Sequence, residues 1–153
     1  MPLGNLTSQS FANIYLHDLD YFVKHILKAR YYIRYVDDFV ILHNSKEQLE
    51  RWKESISGFL KKELMLELHQ QKSRIIPLKR GIDFVGFRNF KHYKLLRKRN
   101  IRKIKSKIVA YKTGKISKEK LLDSFQGWNA YAKWADSYKL RKKIILSIFK
   151  ETN

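Results

Sequence analysis

Residues 31–42 read YYIRYVDDFVIL, and this stretch decides the expected fold. Aromatic and β-branched residues fill both ends of it, and such residues favour strands. Two acidic residues, Asp37 and Asp38, stand between them, where a tight turn is expected. We therefore predict a β-hairpin with strands at residues 31–36 and 39–42 and with both acidic side chains at its tip.

Helices are predicted on both sides of this hairpin. Before it, apolar residues recur at helical spacing from residue 8 to about residue 29. The apolar stripe of this helix begins with Phe11, Ile14 and Tyr15. After the hairpin, Ser45 followed three residues later by Gln48 forms a capping box, which predicts a helix to about residue 65.

The remaining elements indicate an α+β fold with an all-helical end. Short strands are predicted at residues 67–69, 74–78, 81–90 and 93–96. Helical spacing then returns, and helices are predicted at residues 98–112, from residue 117, and from an Asp136 cap to about residue 149. In the second of these helices the spacing of Trp128, Tyr131 and Trp134 favours packing in the core over base stacking.

Composition restricts the class of protein. The chain has 153 residues, 44% of them hydrophobic, and no Cys. A chain of this length can bury a core, and without Cys it has no disulfide, thiolate zinc site or Cys nucleophile. The first 17 residues lack a charge but carry several polar side chains, so neither a signal peptide nor a membrane span is predicted. We expect an intracellular, cytoplasmic protein that does not bind membranes.

Charge divides the chain into a neutral and a cationic part. Residues 1–70 carry nine basic and nine acidic side chains, whereas residues 71–153 carry 24 basic and five acidic ones, which accounts for the net charge of +19. A field of this sign attracts polyanions, above all nucleic acid. The alternatives are a basic surface that contacts only solvent and a helix that lies on a membrane surface. A membrane-surface helix needs large apolar residues opposite its charges that no protein core buries, and we do not expect such a face here.

The cationic part contains a run without acidic residues. Thirteen Lys or Arg residues and no acidic residue lie between Asp83 and Glu119. In the helix at residues 98–112, Ile101, Ile104 and Ile108 are expected to face inward, which leaves basic side chains outward, suited to phosphates rather than base edges. We expect backbone phosphates to be contacted by Arg97, Lys98, Arg99, Arg102, Lys103, Lys105 and Lys107.

The two acidic residues of the hairpin are a candidate metal site. Carboxylate oxygens suit hard divalent cations such as Mg²⁺, and two such ions can hold both oxygens of a phosphoryl transfer. An Asp-Asp pair alone is weak evidence, because acidic turns in solvent are common. The surrounding sequence decides between these readings.

Four ordered segments of the chain resemble bacterial reverse transcriptases. They are PLGNLTSQ with FANIYL at residues 2–16, YIRYVDDFVI at residues 32–41, Lys72, and GIDFVGF at residues 81–87. In detail the chain is most similar to the enzymes of diversity-generating retroelements, which are related to group II intron and retron enzymes. The resemblance implies a partial polymerase palm at residues 1–96, followed by a helical thumb at residues 97–153 that holds an RNA template and DNA primer duplex.

The resemblance also implies roles for individual residues. Asp37 would bind Mg²⁺ as the metal ligand of the Tyr-x-Asp-Asp box, with Asp38 as its less direct neighbour. The nucleotide and template pocket would include Leu3, Gly4, Gln9, Tyr35 and Lys72. The element that grips the primer end would consist of Phe84, Val85, Gly86 and Phe87. Leu3 and Gln9 stand where most related enzymes have Gln and Pro.

The family's metal site also uses an aspartate on an earlier palm strand, which this sequence does not contain. Neighbouring residues of a strand point to opposite faces, so Asp37 and Asp38 alone are not expected to complete a two-metal site. We therefore expect a polymerase piece that is inactive alone and needs the fingers and N-terminal palm, as a segment or a subunit. The alternative is a noncatalytic RNA-binding or maturase-like module. The hairpin edge left unpaired predicts self-association.

Overall fold

A computed structural model describes residues 6–149 and divides the chain into two compact units, residues 1–76 and residues 77–153. The α+β fold class is confirmed, because antiparallel strands and helices both occur. The unit boundary precedes the predicted palm and thumb division at residue 96, so the strands between residues 82 and 96 belong to the same unit as the last helices. The assignment of palm and thumb to these parts stays a prediction.

The first unit begins with helical segments where one helix was predicted. They are α1 (Leu6–Tyr15), α2 (His17–Tyr21) and a π-helical turn (Phe22–Ile26). Among the side chains that the structure describes, the core begins at Leu16. The prediction that Phe11, Ile14 and Tyr15 face a core is wrong, because these side chains are 60%, 71% and 51% exposed. Leu16 interrupts the helix with a ψ of 5°, and the π turn departs from the 3.6-residue period of the predicted stripe, so Ile26 at its end is also exposed.

A hairpin and a long helix complete this unit. Strands β1 (Tyr31–Tyr35) and β2 (Asp38–Leu42) pair antiparallel, and helix α3 (Lys46–Glu63) follows. The predicted cap is confirmed, because the hydroxyl of Ser45 accepts a hydrogen bond from the backbone N–H of Gln48 at 3.0 Å. Trp52, Ile56 and Leu60 of α3 pack with Leu19 and Val23 in the core.

The predicted strands at residues 67–69 and 74–78 do not form. The backbone N–H groups of Lys72 and Ser73 instead donate to the carbonyl of His69, at 3.1 and 3.0 Å, which closes a local turn. Pro77 has no N–H group to donate to a sheet, and a short 3-10 helix (Leu78–Arg80) follows it. Local hydrogen bonds therefore replace the predicted strand pairing.

The second unit begins with a three-stranded antiparallel sheet. The predicted strand at residues 81–90 is instead a hairpin, because the chain turns at Val85 and Gly86 between β3 (Ile82–Phe84) and β4 (Phe87–Asn89). Strand β5 (Lys94–Leu96) pairs with β4, as the last predicted strand requires. Positive φ angles of 46° at Val85 and 81° at Gly86 allow this two-residue turn.

Three helices pack around the core of the second unit. They are α4 (Lys98–Lys112), α5 (Lys118–Ala132) and α6 (Tyr138–Phe149), and Ser117 caps α5. Ile104 and Ile108 are buried as predicted, together with Leu121, Phe125 and Ile144. Helix α6 starts at Tyr138, two residues after the predicted Asp136 cap, because its first hydrogen bond runs from the backbone N–H of Arg141 to the carbonyl of Ser137.

Between residues 6 and 149, no helix has the length and apolar character needed to cross a lipid bilayer.

Trp134 corrects the prediction of a core stripe on α5. Trp128 packs against the core and Tyr131 is half-buried, but Trp134 is 70% exposed. Helix α5 ends at Ala132, so the helical periodicity that placed Trp134 on the inner face stops before this residue.

Candidate functional site

The tip of the first hairpin consists of Val36 and Asp37. The register pairs Tyr35 with Asp38, so Asp38 is the first residue of β2 and not a turn residue, which corrects the predicted tip. Only two residues lie between the paired positions, and Val36 has a φ of 55°. Tight hairpins need a positive φ at the first turn position to match the strand twist. Both acidic side chains are exposed at this end of the sheet.

Val36 is an unusual residue for this backbone conformation. A β-branched side chain at positive φ is a rare outlier, and strained residues of this kind cost about 1–3 kcal/mol and occur where the surroundings impose them. The carbonyl of Val36 accepts a hydrogen bond from Nη1 of Arg34 at 2.7 Å. A buried cation therefore holds the turn that presents Asp37.

Arg34 is itself fixed by a network on the buried face of β1. Its Nε and Nη2 donate to the two carboxylate oxygens of Asp20 at 2.8 and 2.5 Å, and its Nη1 donates to Oδ1 of Asn13 at 3.0 Å. The Tyr32 hydroxyl also donates to Asp20, at 2.6 Å. The Arg34 side chain is only 9% exposed.

This network shifts the pKa values of its members. Burial raises the pKa of Asp20, but the hydrogen bonds from Arg34 and Tyr32 outweigh it, and the pKa lies below its ordinary value of 3.8. Burial and the hydrogen bond that its hydroxyl donates to Asp20 raise the pKa of Tyr32, and the hydrogen bonds that Arg34 donates to Asp20 raise the pKa of Arg34. Asp20 is therefore held as a carboxylate against a permanent cation.

Sequence reasoning missed this network. Side chains alternate between the two faces of β1, so Tyr32 and Arg34 lie on the same face. The sequence alone therefore indicates that these two side chains share an environment. Nothing in the spacing indicated Asp20 as their partner, because that contact depends on how α2 packs on the hairpin.

The opposite face of the hairpin is open. Tyr31, Ile33 and Tyr35 point away from the core and are 57%, 57% and 55% exposed. Their register partners Leu42, Val40 and Asp38 complete what we call the open hairpin face. Tyr35 and Asp38 lie opposite each other at its end, so an aromatic ring stands beside the candidate metal-binding carboxylates.

The carboxylates of the hairpin offer part of a metal site. Asp37 and Asp38 have the oxygen ligands that Mg²⁺ prefers. Within the part of the chain that the structure describes, however, no group of three or more His, Cys, Asp or Glu side chains could hold a metal ion. The described residues therefore offer the oxygen ligands that such an ion prefers but do not complete its ligand set.

The structure describes little of the rest of the predicted nucleotide and template pocket. Leu3 and Gly4 lie outside the described residues, and Gln9 lies in α1 with a side chain that is not described. Lys72 is exposed in the turn closed by His69. Their predicted roles in binding nucleotide and template stay predictions.

The predicted primer-grip residues form the β3–β4 hairpin of the second unit. Phe84 pairs with Phe87 across the turn of Val85 and Gly86. The Tyr131 hydroxyl on α5 donates to the carbonyl of Gly86 at 2.7 Å and accepts from Nδ2 of Asn100 on α4 at 3.1 Å. A Cβ atom on Gly86 would lie 2.6 Å from that hydroxyl, so the turn needs glycine for contact as well as for φ. Tyr131 therefore ties the hairpin to two helices.

Helix α4 presents a basic surface. Ile104 and Ile108 are buried, while six of the seven predicted phosphate contacts are exposed, namely Lys98, Arg99, Arg102, Lys103, Lys105 and Lys107. Arg97 caps the helix start by position and lies 3.4 Å from Asp83, so its charge is partly balanced. Helix α4 has no acidic residue, which leaves its outer face available to phosphates.

Comparison with known proteins identifies a family. The family model described as reverse transcriptase (RNA-dependent DNA polymerase) matches residues 1–89, which is more than half of the chain. The matched segment includes the hairpin with Asp37 and Asp38 and the β3–β4 turn. No curated protein matches the chain.

Proposed function

Because this chain belongs to the reverse transcriptase family, we propose that it supplies part of the palm and the thumb of an RNA-directed DNA polymerase. The observation that carries this proposal is the exposed hairpin tip, where a strained turn presents Asp37 beside Asp38. The enzyme would be of the bacterial, diversity-generating retroelement type and would act in the cytoplasm. Its reaction is template-directed nucleotidyl transfer from a deoxynucleoside triphosphate to a primer.

Each part of the chain has a distinct task in this proposal. The turn presents the carboxylates, and Tyr35 lies beside them to contact the primer end. The β3–β4 hairpin orients the primer strand, and α4 binds the backbone of the RNA template and DNA primer duplex through its lysines and arginines. Positioning of this kind contributes much of the catalysis in phosphoryl transfer, because the reacting groups must lie in line.

Divalent metal ions, which reverse transcriptases generally use, would neutralise the charge of the reacting phosphates when bound. Asp37 and Asp38 are the residues of this chain that would hold them. A third carboxylate would come from a polypeptide outside the described residues, either a fingers and palm segment or a partner subunit. The proposal therefore predicts no DNA synthesis by the 153-residue chain alone.

A reconstitution experiment tests this proposal. The chain is mixed with a polypeptide that carries the fingers and earlier palm strand of a similar reverse transcriptase, with Mg²⁺, an RNA template, a DNA primer and deoxynucleotides. We expect primer extension by the mixture and none by either part. Asp37→Asn should abolish extension, because it removes an anionic ligand while nearly keeping size, and Asp38→Asn should have the milder effect.

Asp18→Asn serves as the matched control, because Asp18 is an exposed aspartate of the same unit that lies on α2 and not on the hairpin. This variant should extend primers as the unsubstituted mixture does. Extension by the lone chain, or full activity with Asp37→Asn, would overturn the assignment of the catalytic carboxylates.

A noncatalytic nucleic-acid-binding module is the second candidate function. The exposed basic face of α4 favours it, because a surface of this kind binds polyanions whether or not the carboxylates are used. RNA binding without sequence preference would then be the whole activity, as in a maturase-like protein.

Salt titration tests the binding that both candidates share. If four phosphates are engaged, the logarithm of affinity should fall with the logarithm of salt concentration at a slope of roughly −3 to −4. Changing Arg99, Arg102 and Lys103 to Ala should make this slope less steep by about two to three, since about one counterion is released per contact. A slope near zero would contradict the electrostatic account, and reconstituted synthesis separates the polymerase from the binding module.

A further inference from the structure

Trp134 is held in an exposed position by hydrogen bonds. Its backbone N–H donates to the carbonyl of Tyr131 at 3.2 Å, and the N–H of Ala135 donates to Ala132 at 3.1 Å, which closes a turn after α5. The N–H of Asp136 then donates to the carbonyl of Lys94 on β5 at 2.8 Å. The turn is fixed to the sheet, yet the Trp134 side chain remains 70% exposed.

The side chain of Lys94 lies between Trp134 and the β3–β4 hairpin. Its Nζ is 6.0 Å from the Trp134 ring centroid and 4.9 Å from that of Phe87. Phe87 in turn stacks on Tyr131, with ring centroids 4.7 Å apart and planes 16° apart. These side chains form a continuous series of aromatic rings and one cation, and the indole of Trp134 is its exposed end.

The chemistry of this surface restricts what it can bind. A flat aromatic surface suits another aromatic ring, and an ammonium group beside it suits an anion. A cationic ligand is disfavoured, because residues 77–153 carry 22 basic and five acidic side chains and Lys94 already occupies the cation position. The ligand that combines an aromatic ring with a negative charge is a nucleotide unit.

We propose that Trp134 and Lys94 form a stacking site for one nucleobase and its phosphate. The base stacks on the indole of Trp134, and the ammonium of Lys94 pairs with the phosphate. This site rests on the proposed nucleic-acid binding of the chain, but it adds a dependence on bases that phosphate contacts by α4 do not have. The base is either unpaired or part of the terminal pair of a duplex.

Binding to a normal and an abasic strand tests the site. The probes are oligothymidylate of roughly 12 nucleotides, within the range of single-strand site sizes, and an abasic strand with the same number of phosphates. Trp134→Ala should weaken binding of oligothymidylate roughly 10-fold and leave the affinity for the abasic strand unchanged. Trp134→Phe should retain part of the affinity, because a smaller ring still stacks.

Two further variants provide controls. Tyr21→Ala removes a 56% exposed aromatic side chain from the first unit and should change neither affinity. Lys94→Gln should weaken binding of both strands alike, because it removes a phosphate contact. Binding of two duplexes, one with a blunt end and one with a single unpaired base, then shows where the base comes from. The duplex whose affinity falls more with Trp134→Ala carries the base that stacks.

The outcomes separate this site from the proposed function. If the α4 substitutions weaken binding of both strands while Trp134→Ala weakens neither, nucleic-acid binding stands and the stacking site is wrong. Equal losses on both strands with Trp134→Ala would also overturn it, because the effect would then not depend on a base. A selective loss on the normal strand supports it.

Discussion

Arg34 acts on the hairpin turn from the buried face of β1. Its guanidinium connects the carbonyl of Val36 to the carboxylate of Asp20, and Val36 adopts a φ of 55° that β-branched residues rarely occupy. The ion pair with Asp20 orients Arg34 for this contact. A catalytic role for Asp37 would thus depend on Arg34 and Asp20, which do not lie at the hairpin tip.

The pH dependence of stability tests the contribution of Asp20. Asp20→Asn should lower the free energy of unfolding by about 2 kcal/mol at pH 7, because it removes a charge-assisted hydrogen-bonded partner of Arg34. The pKa of Asp20 is lowered in the folded state, so this stabilisation is present above the ordinary value of 3.8 and is lost as pH falls through the lowered value. Urea unfolding of both proteins at decreasing pH measures it.

The exposed Asp18 again provides the control, and Asp18→Asn should change stability little at any of these pH values. A difference between wild type and Asp20→Asn that stays constant into acid would show that charge does not carry the effect.

At the scale of elements, the β3–β4 hairpin depends on α5 for its position. Tyr131 contributes its hydroxyl to the Gly86 carbonyl and its ring to the stack with Phe87. A turn that is only two residues long is thereby fixed to a helix that shares its core with α4. Movement of the basic helices would therefore be transmitted to the hairpin within this unit.

Substitution of Gly86 tests this attachment. Gly86→Ala should lower the free energy of unfolding by about 2 kcal/mol, because it combines a positive φ with a Cβ contact 2.6 Å from the Tyr131 hydroxyl. Tyr131→Phe in the same chain should recover part of that loss, since it removes the hydroxyl. Chemical denaturation of the single and double variants measures this coupling.

Gly114→Ala is the matched control for backbone strain. Gly114 also has a positive φ, of 69°, but nothing lies within 4 Å of a Cβ atom there. This variant should lose only about 1 kcal/mol. Equal losses at Gly86 and Gly114, with no recovery in the double variant, would contradict the proposed contact.

At the scale of the whole molecule, basic charge is concentrated in one of the two units. Residues 1–76 carry 11 basic and nine acidic side chains, whereas residues 77–153 carry 22 and five. The nearly neutral unit bears the open hairpin face and the exposed residues of α1. In the described chain no further strand pairs with β1 or β2, so their outer edges have free hydrogen-bonding groups.

Self-association of the isolated chain is the expected consequence. Sedimentation should show a mass that rises with protein concentration. Ile33→Lys should reduce this association, because a charge at the centre of the open hairpin face opposes apolar contact and strand pairing. Val109→Lys, at a 59% exposed position of α4, should not. A monomer at every concentration would contradict the prediction.

The sequence by itself determined the elements whose signals are local. Alternation and a central acidic pair defined the first hairpin to within one residue, Ser45 and Ser117 marked helix starts, and the positions of the lysines and arginines of α4 indicated an exposed basic face. These features follow from the periods of strand and helix and from nearby hydrogen bonds, which a single segment contains.

Only the tertiary structure decided the features that join distant segments. Asp20 and Arg34 are 14 residues apart in the sequence, and Gly86 and Tyr131 are 45 residues apart. The sequence around one member of each pair therefore does not indicate the other member. The exposure of Phe11 and Trp134 depended on where a helix is interrupted or ends relative to a core. Packing between segments determines which face of a helix or strand is buried and which stays exposed. Local periodicity cannot specify this, because it depends on residues distant in the sequence.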